Sequence, residues 1–563
     1  MPTTFWTGRS LFLQLLLDEG VTHLFGNPGT TELAIMEAVP DFPQLRYVLG
    51  LQESIVLAMA DGFARASSRL TACNLHCAPG VGNAMGALYS AKFSGSPIII
   101  TAGQYETGYG LQEPMLYEPL VPIAQPLVKW AIEVPRIQDL PRIIHRAAKI
   151  ALTPPTGPVF ISLPGNVLDD EAEIDRGGPT RVELAVRPSD TVIGNIAMRM
   201  LAARKPVIIA GRELAMHNVF SEAGELAELL GAAVYPEPVP YNARFPSGHP
   251  ANMGDLTRNQ KKVRQTLEEF DLVICLGADL LRMSPYSPVD PLPPGMPVIH
   301  ITERDAELGK NYATSLAIQA NIGETLRVLL PAVRAKRSAE YATSARLRFG
   351  ALAKINWSAQ RKQAHRDALP SAQATPIDSR YLMMCLGDLL PEDAIVVEEA
   401  LTATPAITTF VPVRDASSFY GLASGGLGFA LPGAIGVSLA QPGRPVVAVV
   451  GDGSALYSVQ ALWTAAHLKL PITYLIVNNR GYRIIKERLV ALRNSSRFVG
   501  MDIRDPDVDF VAVAHGFGMQ AQRVCDPRDI SAVLKAAVNS RMPNLVEVMV
   551  ADGFENLPAA DRQ

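Results

Sequence analysis

Gly451-Asp452-Gly453-Ser454 closes the apolar run 446–450, and 24 residues after Ser454 a second apolar run, 472–477, gives way to Asn478-Asn479. The two runs predict strands and residues 458–468 an amphipathic helix, which together make a βαβ unit. Both strands then end on one edge of a parallel sheet, the edge at which open α/β sheets bind ligands. Glycines there let the backbone approach a phosphate closely. Asp452 and the side-chain carbonyl of Asn479 are hard oxygen donors of the kind Mg²⁺ takes when it sits between a protein carboxylate and a phosphate. The stretch reads as a magnesium-diphosphate anchor. It is not the phosphate loop of nucleotide hydrolases, because neither Gly-Lys-Ser nor Gly-Lys-Thr follows Gly453.

One such unit is a fraction of the chain. A single core rarely grows past ~250 to 300 residues, so 563 residues predict about three domains. Strand-like runs at 22–25, 47–51, 97–101 and 159–163 alternate with helical patterns in a first block. A linker rich in acids, Gly and Pro covers 169–190, and a second block has strands at 206–210, 272–276 and 298–301. Residues 333–377, polar and helix-prone, read as a connector lying over the surface. The third block carries strands at 395–397, 446–450, 472–477 and 545–550. The expected fold is α/β, with three doubly wound parallel-sheet domains at 1–180, 190–340 and 370–563.

Composition narrows the function classes. Lys and Arg number 51 against 55 Asp and Glu, a net charge of −4, with no long run of one sign. No nucleic-acid or anionic-membrane partner is expected. Residues 11–17 after Arg9 faintly imitate a secretion signal, but Gln14 interrupts the run, Asp18-Glu19 ends it and no small-x-small site follows. They read as an amphipathic first helix, and no segment reaches the ~20 apolar residues that span a bilayer. The five cysteines are scattered and lack Cys-x-x-Cys spacing, which argues against a disulfide framework or a zinc site and fits a reducing, cytoplasmic compartment.

Five further motifs precede the diphosphate anchor: Phe25-Gly26-Asn27-Pro28-Gly29-Thr30, Leu51-Gln52-Glu53, Asn74-Leu75-His76, Gly82-Asn83-Ala84, and Gly425-Gly426-Leu427-Gly428-Phe429-Ala430-Leu431-Pro432. In this order the chain resembles the superfamily of thiamin diphosphate-dependent decarboxylases and acetohydroxyacid synthases. Residues 82–88, 126–130 and 461–466 carry a closer likeness to the benzoylformate decarboxylases. The resemblance implies a pyrimidine-binding first domain, a Rossmann-like middle domain and a diphosphate-binding third domain. It also implies thiamin diphosphate and Mg²⁺ as cofactors, bridging the first domain of one subunit and the third of another. A homodimer is then the minimum assembly and a homotetramer the usual one.

Residue roles follow from the same likeness. Glu53, alone, would read as an acid that favours a helix N-terminus; by resemblance it shares a proton with the pyrimidine ring of the coenzyme. His76 matches a histidine facing the reacting centre, and Thr30 a serine that binds the substrate carboxylate. Leu427 becomes the apolar wedge that bends the coenzyme into a V. Asn27, Pro28, Gly29, Thr402, Gly425, Asp452, Gly453, Ser454, Asn479, Gly481 and Tyr482 fall near the cofactor. The Gly481 carbonyl completes the metal shell of Asp452 and Asn479. The implied reaction is decarboxylation of a 2-oxo acid, benzoylformate-like or branched aliphatic, to an aldehyde.

The chain also departs from that pattern. Ser284 stands where benzoylformate decarboxylases carry a second histidine, which favours carboligation as a side activity because serine does not titrate near neutrality. Leu401 replaces a smaller, polar threonine and Ile484-Ile485 add branched bulk, so the substrate pocket is expected to be smaller and drier. Arg480, Arg483, Lys486 and Arg488 are read as a solvated helix face, with recognition of an anionic substrate tail as the alternative. That alternative is a carbon-carbon lyase or ligase acting on an acyl-CoA and an aldehyde, or an acetolactate synthase-like carboligase. A non-catalytic binding protein is the remote third reading. Whether residues 554–563 close over the site is left open.

Overall fold

The computed structural model describes residues 4–284 and 286–554. Three parallel sheets dominate it. The first has six strands in the order Arg46–Leu49, His23–Gly26, Thr71–His76, Ile98–Gln104, Val159–Pro164 and Ala131–Glu133. The middle sheet has five, in the order Ala233–Pro236, Pro206–Ala210, Leu272–Leu276, Val298–Thr302 and Leu316–Gln319. The third has six, in the order Phe419–Gly421, Ile395–Glu399, Val446–Gly451, Ile472–Asn478, Asn544–Met549 and Gln520–Val524. Most central strands are rich in Val, Ile and Leu and buried along their length, whereas Thr71–His76 of the first sheet carries the polar Thr71, Asn74 and His76. Parallel strands joined by helical crossovers are covered on both faces, so continuous apolar runs rather than alternating ones are what such a sheet requires.

Two sequence expectations change in detail. The first helix, Gly8–Asp18, is capped by Thr7, whose Oγ1 accepts from the Ser10 amide at 3.3 Å. It is largely buried rather than half-exposed: Leu11, Phe12, Leu13, Leu15 and Leu16 are all inaccessible. The linker beginning at 169 also starts with structure, because Glu171–Ile174 pairs antiparallel with Thr4–Thr7. Ile174 is buried there while the alternate glutamates face water, a half-buried strand that acidic composition concealed. The connector is helical as expected, with helices Ala339–Leu352 and Trp357–Ala368. Trp357 pins it to the third domain by donating to the Thr408 carbonyl at 2.9 Å.

The first and third domains meet along helices Glu53–Ser67 and Ala430–Ala440. Glycines set their distance: a Cβ on Gly62 would lie 2.3 Å from the Gly433 oxygen, and one on Gly436 would lie 2.0 Å from the Met59 oxygen. Arg65, at the end of the first of these helices, locks the three domains together. It is buried and donates to the Tyr241 carbonyl, to Asn242 Oδ1 at 3.1 Å and to the Gly421 carbonyl at 2.9 Å. Its guanidinium also stacks 4.6 Å from the Phe429 ring centre.

Candidate active site

A pocket opens at the carboxyl edge of the third sheet, where strands Ile395–Glu399, Val446–Gly451 and Ile472–Asn478 end side by side. Leu401, Thr402, Leu427, Asp452, Gly453, Ser454, Asn479, Gly481, Tyr482 and Ile484 all line it. Residues far apart in the chain are thus gathered by strand order alone. Gly425, with φ +83°, needs glycine for its backbone. Ile485, expected in the same wall, is 46% exposed and is not part of the lining. Helical rotation explains this, since consecutive residues of helix Arg483–Arg493 point about 100° apart, so that Arg483 and Ile484 line the pocket while Ile485 turns away.

Oxygen donors converge at one end. Asp452 is 3% exposed, and its Oδ2 accepts from the Gly481 amide at 2.9 Å. Burial pushes its carboxyl up to about 6, against the pull of backbone amides led by Gly481. Asn479 Oδ1 is buried and has no hydrogen-bond partner among the described residues. A buried amide oxygen left unmade is costly, and together with the Asp452 carboxylate it fits a hard divalent cation that takes oxygen ligands. Gly453 is required by packing: a Cβ there would meet the Tyr482 ring at 2.6 Å. The Tyr482 amide in turn donates to the Met501 carbonyl at 2.8 Å, which holds the 479–482 turn in place.

The other predicted residues cluster in the first domain. Glu53 opens helix Glu53–Ser67, is 8% exposed and accepts from Asn83 Nδ2 at 3.0 Å through Oε2. His76 ends strand Thr71–His76, and its Nδ1 lies 2.8 Å from Glu32 Oε2. Glu32 is fully buried and was missed by sequence reasoning. Its carboxylate also accepts from the Gly29 amide at 2.9 Å, the Gly103 amide at 2.9 Å and Thr31 Oγ1 at 2.8 Å. Glu32 Oε2 is the acceptor an Nδ1–H of His76 would use, which leaves Nε2 outside this contact. Gly29 is needed at the contact, because a Cβ would fall 2.3 Å from the imidazole. The available signal was Glu32 three places after Gly29 at the start of a helical turn, a capping-box spacing.

Some predicted partners do not meet within one chain. The pocket lining contains third-domain residues only, and neither Glu53 nor His76 is among them. Thr30 is exposed, while its neighbour Thr31 touches His76 Nδ1 at 3.1 Å and Cys77 Sγ at 3.3 Å. Ser284 is exposed too. Nearby Arg282 pairs with Asp279 at 2.7 Å and stacks on Phe93 at 4.3 Å, near the far end of helix Cys77–Ser94 from His76. Large apolar side chains stand exposed beside both halves, Leu51 next to Glu53 and Leu456 with Tyr457 just past Ser454.

The basic cluster is corrected by its partners. Lys486 is buried and bound to Asp502 at 2.6 Å, Arg483 to Glu487 at 2.8 Å, and Arg480 to Asp507 at 3.3 Å. Three of the four charges are matched in this way, Arg483 among them although it lines the pocket, which weakens the field offered to an anionic tail. Three residues that join strand ends to the site hold left-handed backbone without being glycine: Cys77 at φ 46°, Leu401 at 33° and Arg480 at 58°. Such conformations cost energy and gather at functional loops.

Three doubly wound sheets, with a pocket of carboxylate and amide oxygens at the carboxyl edge of the third, define a cofactor-binding α/β enzyme. Family models agree domain by domain: the N-terminal TPP binding domain of thiamine pyrophosphate enzymes matches residues 6–117, the central domain 193–329 and the C-terminal TPP binding domain 403–548. The chain belongs to the thiamine pyrophosphate enzyme family. It is 33% identical over 549 residues to benzoylformate decarboxylase of Pseudomonas aeruginosa, covering 96% of this chain and 98% of that protein. It is 26% identical to the large subunit of acetolactate synthase isozyme 1 of Escherichia coli, over 97% of this chain and 94% of that one. Among solved structures, a thiamine diphosphate-dependent 4-hydroxybenzoylformate decarboxylase of Rhodococcus jostii superposes with a TM-score of 0.85 at 32% identity, over 97% and 99% of the two chains. Benzoylformate decarboxylase of Polynucleobacter necessarius gives 0.86 at 27% identity, over 97% and 99%.

Proposed function

We propose that this enzyme decarboxylates a 2-oxo acid with an apolar side chain, using thiamin diphosphate and Mg²⁺ bound between the third domain of one subunit and the first domain of another. The observation that carries the reading is the unpartnered Asn479 Oδ1 beside the buried Asp452 carboxylate, at the ends of adjacent strands. Asp452, Asn479 and the Gly481 carbonyl hold the metal, and Gly453 and Ser454 face the diphosphate. When bound, thiamin diphosphate supplies the nucleophilic carbon and the electron sink for the pair left as carbon dioxide departs.

The chain's own residues do the rest. Glu53, buried at a helix start, holds and returns the proton of the pyrimidine ring. His76 presents Nε2 to the reacting centre because Glu32 occupies Nδ1. Thr30 binds the substrate carboxylate, and the proton that replaces carbon dioxide on the product carbon comes through His76. Leu401, Leu427 and Ile484 form an apolar wall that accepts an aromatic or branched aliphatic side chain and excludes water. Since the pocket lining lacks first-domain residues, Glu53 and His76 reach it from a second copy, and the exposed apolar residues beside both halves support an interface there. A homotetramer would double this dimer.

Carboligation is read as a side activity, because Ser284 offers no titrating group to protonate the product. The acyl-CoA reading is weakened by the pairing of Arg480, Arg483 and Lys486. The deciding experiment measures carbon dioxide release by the protein loaded with coenzyme and Mg²⁺, over a panel of benzoylformates and branched aliphatic 2-oxo acids. Release is expected with at least one of them. Silence across the panel, with coenzyme bound and turnover of formyl-CoA with an aldehyde, would move the assignment to the lyase.

A further inference from the structure

Glu399 is the last residue of strand Ile395–Glu399 and directly precedes pocket-lining Ala400. It is 1% exposed, and no motif drew attention to it. Both of its carboxyl oxygens are engaged on one loop: Oε1 accepts from the Gly428 amide at 2.6 Å and Oε2 from the Ala430 amide at 2.6 Å. The Ala430 amide opens helix Ala430–Ala440, whose own cap residue, Phe429, supplies no side-chain acceptor, and the Gly428 amide lies just before that cap. The first amides of a helix have no intrahelical partner, so an acid reaching over from the neighbouring strand completes them. Two donors on two oxygens fix orientation as well as distance.

The tethered amides lie immediately after Leu427. On either side of that residue the backbone takes conformations reserved for glycine, with φ +83° at Gly425 and +107° at Gly428. The 425–429 loop has no strand or helix of its own to hold it. Its position is therefore set from outside, and Glu399 is the buried group that sets it. We propose that Glu399 is a positioning residue: by pinning the amides of Gly428 and Ala430, it fixes Leu427 at the height in the pocket where that side chain meets the coenzyme. This rests on the coenzyme reading above.

The test compares wild type with Glu399→Gln, Leu427→Ala and the double variant. Two quantities are read: amide hydrogen exchange of the 425–434 segment in the coenzyme-free protein, and the exchange rate of the thiazolium C2 proton of saturating bound coenzyme. A glutamine turns an NH₂ group toward one of the two amides, so exchange of the segment should quicken about tenfold and C2 exchange should slow by at least about tenfold. In the Leu427→Ala background the Glu399→Gln change should add nothing to the C2 defect, since both act through one side chain. If Glu399→Gln does not fold, Gly428→Ala, strained at its positive φ, should reproduce the C2 defect with the acid intact. Wild-type C2 exchange in Glu399→Gln or, failing that variant, in Gly428→Ala, or additive defects in the double variant, would overturn the positioning role. Failure of wild type to bind the coenzyme would instead overturn the coenzyme reading.

Discussion

Asn479 carries a buried oxygen that the protein alone leaves unmade, and this has opposite consequences for stability and function. Asn479→Ala should leave the metal-free protein unchanged or up to about 1 kcal/mol more stable, since it removes an unsatisfied acceptor. The same change should abolish Mg²⁺-supported coenzyme binding. Thermal melts of the metal-free protein and coenzyme titrations with Mg²⁺ check the two halves. Asp452 gives the pH dependence. Its carboxyl sits at about 6 rather than 3.8 because burial disfavours the charged form. A carboxyl raised by folding contributes stability that is present below its unfolded value and lost as pH rises through its folded value. A metal held as proposed takes the carboxylate, so Mg²⁺ affinity should be flat above that point and fall by up to about tenfold per pH unit below it. Titrations of Mg²⁺ across that range provide the check. Both donors were legible in the sequence because they end predicted strands. Glu32 and Glu399 were not, because their partners lie 44, 29 and 31 residues away and appear only when strands are laid side by side.

Among the elements, the turn that carries Glu32 acts on the histidine across a sheet edge. Glu32→Gln should lower turnover by about a hundredfold with coenzyme affinity unchanged, because His76 would lose the acceptor that fixes its tautomer. Coenzyme titration of the variant, measured beside turnover, separates this from simple unfolding. At the helix pair Glu53–Ser67 and Ala430–Ala440, Gly436→Ala places a methyl 2.0 Å from the Met59 oxygen, where backbone must move. It should cost about 1 to 3 kcal/mol and lower the melting temperature. Most of the strands that were read fall within a residue or two of their observed ends, because continuous Val and Ile runs leave little choice; Ile98–Gln104 runs three residues past its expected end, and strands without such runs, Thr71–His76 among them, were not read at all. Strand Glu171–Ile174 was read as linker because only one of its residues is buried. Within the basic cluster, read as a solvated face, Lys486 departs by being buried against Asp502, which arrives from a later segment.

At the scale of the whole molecule, the division of labour between domains decides the assembly. The third domain gathers Asp452, Gly453 and Asn479, the proposed metal and phosphate groups, the first gathers Glu53 and His76 with Glu32, and the Arg65 junction holds the two in fixed relation within a chain. The expectation of three doubly wound domains held because each block repeats the same strand and helix alternation. The expectation that two subunits share a site came from resemblance, since no pattern in a single chain encodes which copy supplies the acid. The most direct test is complementation. Glu53→Gln and Asp452→Asn are each expected to abolish exchange of the coenzyme C2 proton. Co-expressed in equal amounts, they should recover about a quarter of the wild-type rate, because half of random dimers are mixed and each mixed dimer rebuilds one of its two sites. A mixture as inactive as its parents, with mixed dimers demonstrably formed, would place both residues in one chain's site and contradict the shared coenzyme.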